Sequence, residues 1–126
     1  MQRKFRLTRS EDFKRVRRSG KSYAHPLVVL IVQTYDQRGG AMGALDQPRV
    51  KIGVAAGRTV GTAVHRNRAK RLLREAMRSL IPGISSNLDL ILIARPGLVT
   101  ATLDETRRAL LSLLERAKIL TPTNES

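Results

Sequence analysis

Set out at 100° per residue, Ala69, Leu72, Leu73, Ala76, Met77 and Leu80 gather on one side of a helix. Asn67, Lys70, Arg71, Arg74 and Arg78 gather on the other, with Arg66 and Arg68 at the two edges. A helix divided in this way can bury one stripe only, so the leucine side needs a flat apolar partner and the arginine side must meet water or an anion. Thr62 supplies an N-cap, and Pro82 with Gly83 supplies a stop. These limits predict a helix of about 19 residues and a basic strip of roughly 28 Å, long enough for several consecutive phosphates.

The charge of that strip is not spread for solubility. Residues 58–78 hold seven Lys or Arg against one acid, Glu75, and residues 1–21 hold nine against Glu11 and Asp12. These two windows carry thirteen of the fourteen net positive charges, and the remaining eighty-four residues are almost neutral. Segregated basicity is the footprint of a nucleic-acid binder. The plain alternative is a solvated helix face, but such faces interleave Glu with Lys or Arg at i,i+4. Here Arg66, Lys70 and Arg74 stand at that spacing and repel each other by a few tenths of a kcal/mol per pair. Arginine outnumbers lysine six to one in residues 58–78. Its planar fork can bridge two phosphate oxygens or stack on a base.

The elements around this helix follow from local signals. Thr8 and Glu11 form a capping-box pattern that opens a first helix over residues 9–18, with Phe13 and Val16 as its apolar edge and Gly20 as its end. From Tyr23 the chain turns β-rich, and the branched apolar run at residues 27–32 suits a strand covered on both faces. Residues 36–48, broken by Gly39, Gly40, Gly43 and Pro48, read as a flexible loop. Residues 49–56 form the next strand, with Val50, Ile52 and Val54 on one face and Lys51 on the other. Residues 88–94 form another buried strand. Thr102 and Glu105 then cap a last helix whose Leu103, Leu110, Leu113, Leu114 and Ala117 pack on the sheet. Residues 121–126 are expected to fray. The sum is an α+β sandwich, and 126 residues suffice for one domain, 1–126, and not for two.

Several functions are disfavoured by what the chain lacks. There is no cysteine, hence no disulfide, thiolate metal site or cysteine nucleophile. No apolar run approaches the roughly 20 residues that span a bilayer, and the basic N-terminus leads into more charge, so a cytoplasmic protein without membrane contact is expected. His25 and His65 have unlike surroundings and read as structural. Asp36, Asp46 and Asp89 do not cluster in sequence, and no nucleophile-elbow, Walker or HExxH pattern occurs. No catalytic residue and no protein-bound metal is assigned. Composition alone would suit a ribosomal protein or a general RNA chaperone.

The run Gly61, Thr62, Ala63, Val64, His65, Arg66, Asn67, Arg68, Ala69, Lys70, Arg71, Leu72, Leu73, Arg74, Glu75 resembles the RNR signature of the protein component of bacterial ribonuclease P. Glu11, Asp12, Phe13, Val16 and Gly20 are similar to that family's first helix, and Asp89, Ile91, Ile93, Ala94 and Arg95 to its strand before the last helix. The resemblance runs from about Phe5 to Leu114. It implies an αβββαβα order around a four-stranded sheet, with the basic helix making a left-handed crossover between two parallel strands. It also implies a role as the accessory subunit of an endoribonuclease. In such an enzyme a large RNA carries the chemistry and holds most of the Mg²⁺, and the reaction removes the 5′ leader of precursor tRNA; no protein oligomer is required.

By that resemblance Arg66, Asn67, Arg68, Lys70, Arg71 and Arg74 contact the catalytic RNA. Phe13, Arg17, Lys51 and Arg58 line a cleft for the leader. Family members often carry aromatic residues where this chain has Arg17 and Ile31, and a serine and two lysines where it has Gly57, Arg58 and Thr59. Stacking of leader bases, worth about 1–3 kcal/mol each, therefore has fewer platforms here. For Phe13 itself, a core role and a leader contact stand equally open.

Overall fold

The branched apolar runs assemble into one sheet in the computed structural model, which describes residues 5–7, 9–34, 50–84 and 87–120. Its strands are β1 (Lys21–Ala24), β2 (Val28–Thr34), β3 (Val50–Ala56) and β4 (Leu88–Ala94), in the spatial order β1-β2-β4-β3. β1 with β2 and β2 with β4 are antiparallel, while β3 with β4 is parallel. The helices are α1 (Ser10–Ser19), α2 (Ala63–Arg78) and α3 (Leu103–Arg116), so the order along the chain is αβββαβα. β2 and β3 follow one another in sequence yet do not pair. Each leans on β4, whose residues are buried apart from the partly exposed Ile93.

Strand alternation gives the sheet two unlike faces. On one, Val28, Leu30, Val32, Ile52, Leu88, Leu90 and Leu92 meet Leu73 and Met77 of α2 and Leu110, Leu113 and Leu114 of α3. Each of these side chains, fully removed from water, contributes on the order of 1.5–3 kcal/mol before chain entropy is counted. The other face carries Ile31 and Ile91 against Leu7 and Val16, with Val29, Ile93 and Phe13 packed around them. α1 is the helix that covers it. The outer edge of β3 is partly closed by the N-terminal segment, where the Leu7 amide donates to the Ile52 carbonyl at 2.8 Å.

Most expected boundaries hold, and the exceptions have local causes. α1 starts at Ser10, with the extended Arg9 as an N-cap that makes no side-chain cap bond; Thr8 lies outside the described residues. β2 continues to Thr34, because Gln33 and Thr34 stay in register with Asp89 and Leu88. α2 has 16 residues, or roughly 24 Å, shorter than the length set by its breakers. It ends at Arg78, and the chain makes a 3₁₀ turn (Ile81–Gly83) around Pro82. α3 forms as its capping box dictates: the Glu105 amide donates to Thr102 Oγ1 at 3.0 Å and the Thr102 amide to Glu105 Oε1 at 2.9 Å. The expected loop at 36–48 and tail at 121–126 lie outside the described residues.

Candidate nucleic-acid interface

The sharp entry into α2 is set by two residues. Gly61 holds φ at +133°, a region closed to most side chains, and a Cβ there would crowd the His65 ring. Thr62 then accepts a hydrogen bond from the His65 amide at 3.4 Å. Beyond this cap, Ala69, Leu73, Ala76 and Met77 are fully buried against the sheet and α3. The basic residues of the helix divide into three strips around that stripe.

Arg66, Lys70 and Arg74 form the first strip and are half-buried beside the apolar stripe. Helical spacing had placed Lys70 and Arg74 opposite the leucines, so the structure moves them from the outer face to a flank. Burial pulls the Arg74 guanidinium below its ordinary pKa, and the like charge of Arg6 adds to the shift. Arg66 Nε is buried without a hydrogen-bond partner, which leaves a charged fork with a donor unspent. Asn67, Arg71 and Arg78 form the outward, exposed strip, where Arg78 pairs with Glu75 at 3.2 Å. Arg68 stands apart on the opposite flank. Its Nη1 donates to the Val99 carbonyl at 3.2 Å, in the 3₁₀ segment Pro96–Thr100 that precedes α3.

The second cationic region lies across the sheet. Phe13 sits directly over Gly53, where a Cβ would run into the ring, so this strand position must be glycine for α1 to lie so close. Phe13 is only partly buried and belongs to the apolar cluster of this face. It therefore serves the core while keeping an open side. Ala55, Ile93 and Val29 stand in one row of the register and are all half-buried, which extends an apolar floor beyond the ring.

α1 is fastened over this floor by charge. Arg15 Nη2 lies 2.7 Å from a carboxylate oxygen of Asp89, which is fully buried, and 3.0 Å from one of Asp12; its Nη1 donates to Gln33 Oε1. No local pattern signals this knot, since Arg15 and Asp89 are 74 positions apart.

The four cleft residues are only partly brought together. Lys51 shares the face of Gly53 by strand alternation and pairs in register with Asp89. Arg17 is exposed one turn beyond Phe13 on α1. Arg58 follows the far end of β3, in the 3₁₀ segment Arg58–Val60 that leads into α2. Lys51 and Arg58 thus mark opposite ends of the strand, with the apolar floor between them. Ile31, at the other position where the family often has an aromatic, is buried.

The two histidines lie in a turn and at a helix cap. His25 Nδ1 accepts from the Leu27 amide at 3.0 Å inside the β1–β2 turn, and His65 is exposed at the α2 cap. Among the described residues no three or more His, Cys, Asp or Glu side chains gather where they could hold a metal ion, and no helix is long and apolar enough to cross a membrane.

Known proteins are similar to this chain in architecture and in sequence. A family model described as Ribonuclease P matches residues 1–118. The ribonuclease P protein component of Herpetosiphon aurantiacus is 38% identical over 119 residues, covering 94% of this chain and 89% of the relative. That of Dehalococcoides mccartyi is 38% identical over 120 residues, covering 95% and 90%. The RNase P protein structure from Staphylococcus aureus superimposes with a TM-score of 0.75 at 25% identity, over 93% of this chain and 98% of that one. The structure from Thermotoga maritima gives 0.71 at 26% identity, over 88% and 96%.

Proposed function

The chain belongs to the ribonuclease P protein family, and from that premise we propose that it is the protein subunit of a ribonucleoprotein endonuclease acting on precursor tRNA. A large RNA subunit carries the phosphodiester chemistry in this reading. The protein binds that RNA with α2 and receives the 5′ leader of the substrate between α1 and the sheet. The observation that carries it is the set of uncompensated cations Arg66, Lys70, Arg71 and Arg74, with the neutral amide of Asn67 among them, held on a helix whose other side is locked into the core. A solvated face would have no use for a partly desolvated Arg74 that also feels the like charge of Arg6. A polyanion relieves both costs.

The leader cleft is supported by geometry of a different kind. A row of half-buried apolar groups, Phe13, Ala55, Ile93 and Val29, runs between cations at the two ends of β3. Single-stranded RNA has this pattern of base faces and flanking phosphates. Bound Mg²⁺, held mainly by the RNA, supplies an activated water and neutralises charge at the scissile phosphate. The residues of this chain bind, orient and shield; none is assigned a proton-transfer step. No second protein copy is required in this reading, and the place of the complex is the cytoplasm, where precursor tRNA is made.

The deciding experiment mixes the protein with a ribonuclease P RNA from a relative and a 5′-labelled precursor tRNA, at a magnesium concentration too low for that RNA alone. Cleavage at the mature 5′ end is expected only when both are present. Lys70→Ala and Arg71→Ala should each flatten the salt dependence of RNA binding by up to about one unit in log–log slope. Cleavage by the protein alone would contradict the assignment of chemistry to RNA. Sedimentation with ribosomal subunits and no stimulation of cleavage would favour the ribosomal alternative.

A further inference from the structure

We propose that the groove between α2 and the start of α3 is a slot for a single unpaired nucleobase of the RNA subunit, an inference that rests on the subunit reading above. The groove measures about 370 Å³ and is lined by Arg68, Arg71, Leu72, Glu75 and Leu103. That is near the small end of ligand pockets, roughly 300–1,000 Å³, and suits one heterocycle better than a helix or a strand.

Three features of the lining match a base and not a phosphate alone. The floor is apolar: Leu72 and Leu103 are both half-buried and leave part of their surface to the groove. Arg68 is pinned on the groove's wall by its bond to the Val99 carbonyl. A guanidinium fixed in this way has already lost rotamer freedom, and its planar face is available for stacking. Glu75, the one acid among seven bases in residues 58–78, lies in the same lining.

A carboxylate on a phosphate-binding helix opposes the helix's purpose unless it has a task. Its pairing with Arg78 joins side chains that are 52% and 67% exposed, and so adds little stability. In the slot it can accept from an amine or imine on a base edge and repel a phosphate that arrives out of register. Arg71, exposed beside it, takes the phosphate of the same nucleotide. Arg68 and Glu75 are therefore assigned to base recognition, and the phosphate load falls on Arg66, Lys70, Arg71 and Arg74.

The test exploits the fact that Arg68→Lys keeps the charge and removes the planar fork. With a relative's ribonuclease P RNA, the dissociation constant should rise on the order of tenfold while its slope against salt stays the same. Glu75→Gln should weaken binding severalfold, again at constant slope. Abasic nucleotides placed singly through the unpaired positions of the RNA should include one that reproduces the Arg68→Lys loss and adds nothing to it in combination. Unchanged affinity for Arg68→Lys, a loss accompanied by a shallower slope, or full additivity with every abasic position would each overturn the slot. Failure of the native protein to bind the RNA would overturn the subunit reading, and the slot with it.

Discussion

The two faces of the sheet are held down by different physics. Toward α2 and α3 the contact is a continuous aliphatic core, with Leu30, Leu73, Met77, Leu90, Leu92, Leu110, Leu113 and Leu114 all fully buried. Toward α1 it is a small cluster, a ring over a glycine, and a guanidinium tied to a buried carboxylate. Area holds the first; geometry holds the second. An aliphatic core tolerates small shifts of a helix, whereas the bonds from Arg15 across to Gln33 and Asp89 fix one placement. The strongly packed face thus presents the cation strip on a rigid support. The lightly covered face keeps apolar surface open at a set width.

Substitutions can break this contrast in turn. The largest effect is expected from Leu90→Ala on the aliphatic face, which should cost about 2–5 kcal/mol of unfolding free energy in denaturant titrations. A loss under 1 kcal/mol would mean that this face is not the main source of stability. Gly53→Ala on the other face should cost about 1–3 kcal/mol, because the Phe13 ring must move. It should also weaken binding of precursors with a leader more than binding of leaderless tRNA. Equal weakening of both would detach the ring from leader recognition.

The smallest effect is electrostatic. Arg6→Gln should raise the melting temperature at low ionic strength by roughly 1–2 °C, through relief of Arg74. The gain should fade as salt screens the pair. A gain that persists in high salt would point to packing of the N-terminal segment instead.

What the sequence disclosed was local in origin. β4 was bounded correctly at both ends by its apolar run, and the α3 start by a capping box that acts over three residues. The cation strip was legible as a charge pattern, and its arrangement was not. Lys70 and Arg74 lie at a flank because the buried stripe is Ala69, Leu73, Ala76 and Met77, with Leu72 and Leu80 only partly covered, so the helix is turned toward the two cations. Arg68 found its acceptor 31 positions away, and Arg15 found Asp89 at 74. Such pairings depend on which surfaces the topology brings together, and no periodicity encodes them. Arg58 was grouped with Phe13 and Lys51, yet it follows the opposite end of β3 from Lys51.

The strand order also has a consequence for synthesis. β2 and β3 are joined to one another only through β4, and β4 is the last of the four strands to leave the ribosome. Until residue 94 has emerged, the β1–β2 hairpin and the β3–α2 unit have no strand between them, and both show an unpaired edge to the surrounding medium. The nascent chain therefore exposes its most basic helix before the core that will orient it exists. Arrival of β4 closes both edges in one step, which makes completion of this sheet a late and cooperative event in the life of the polypeptide.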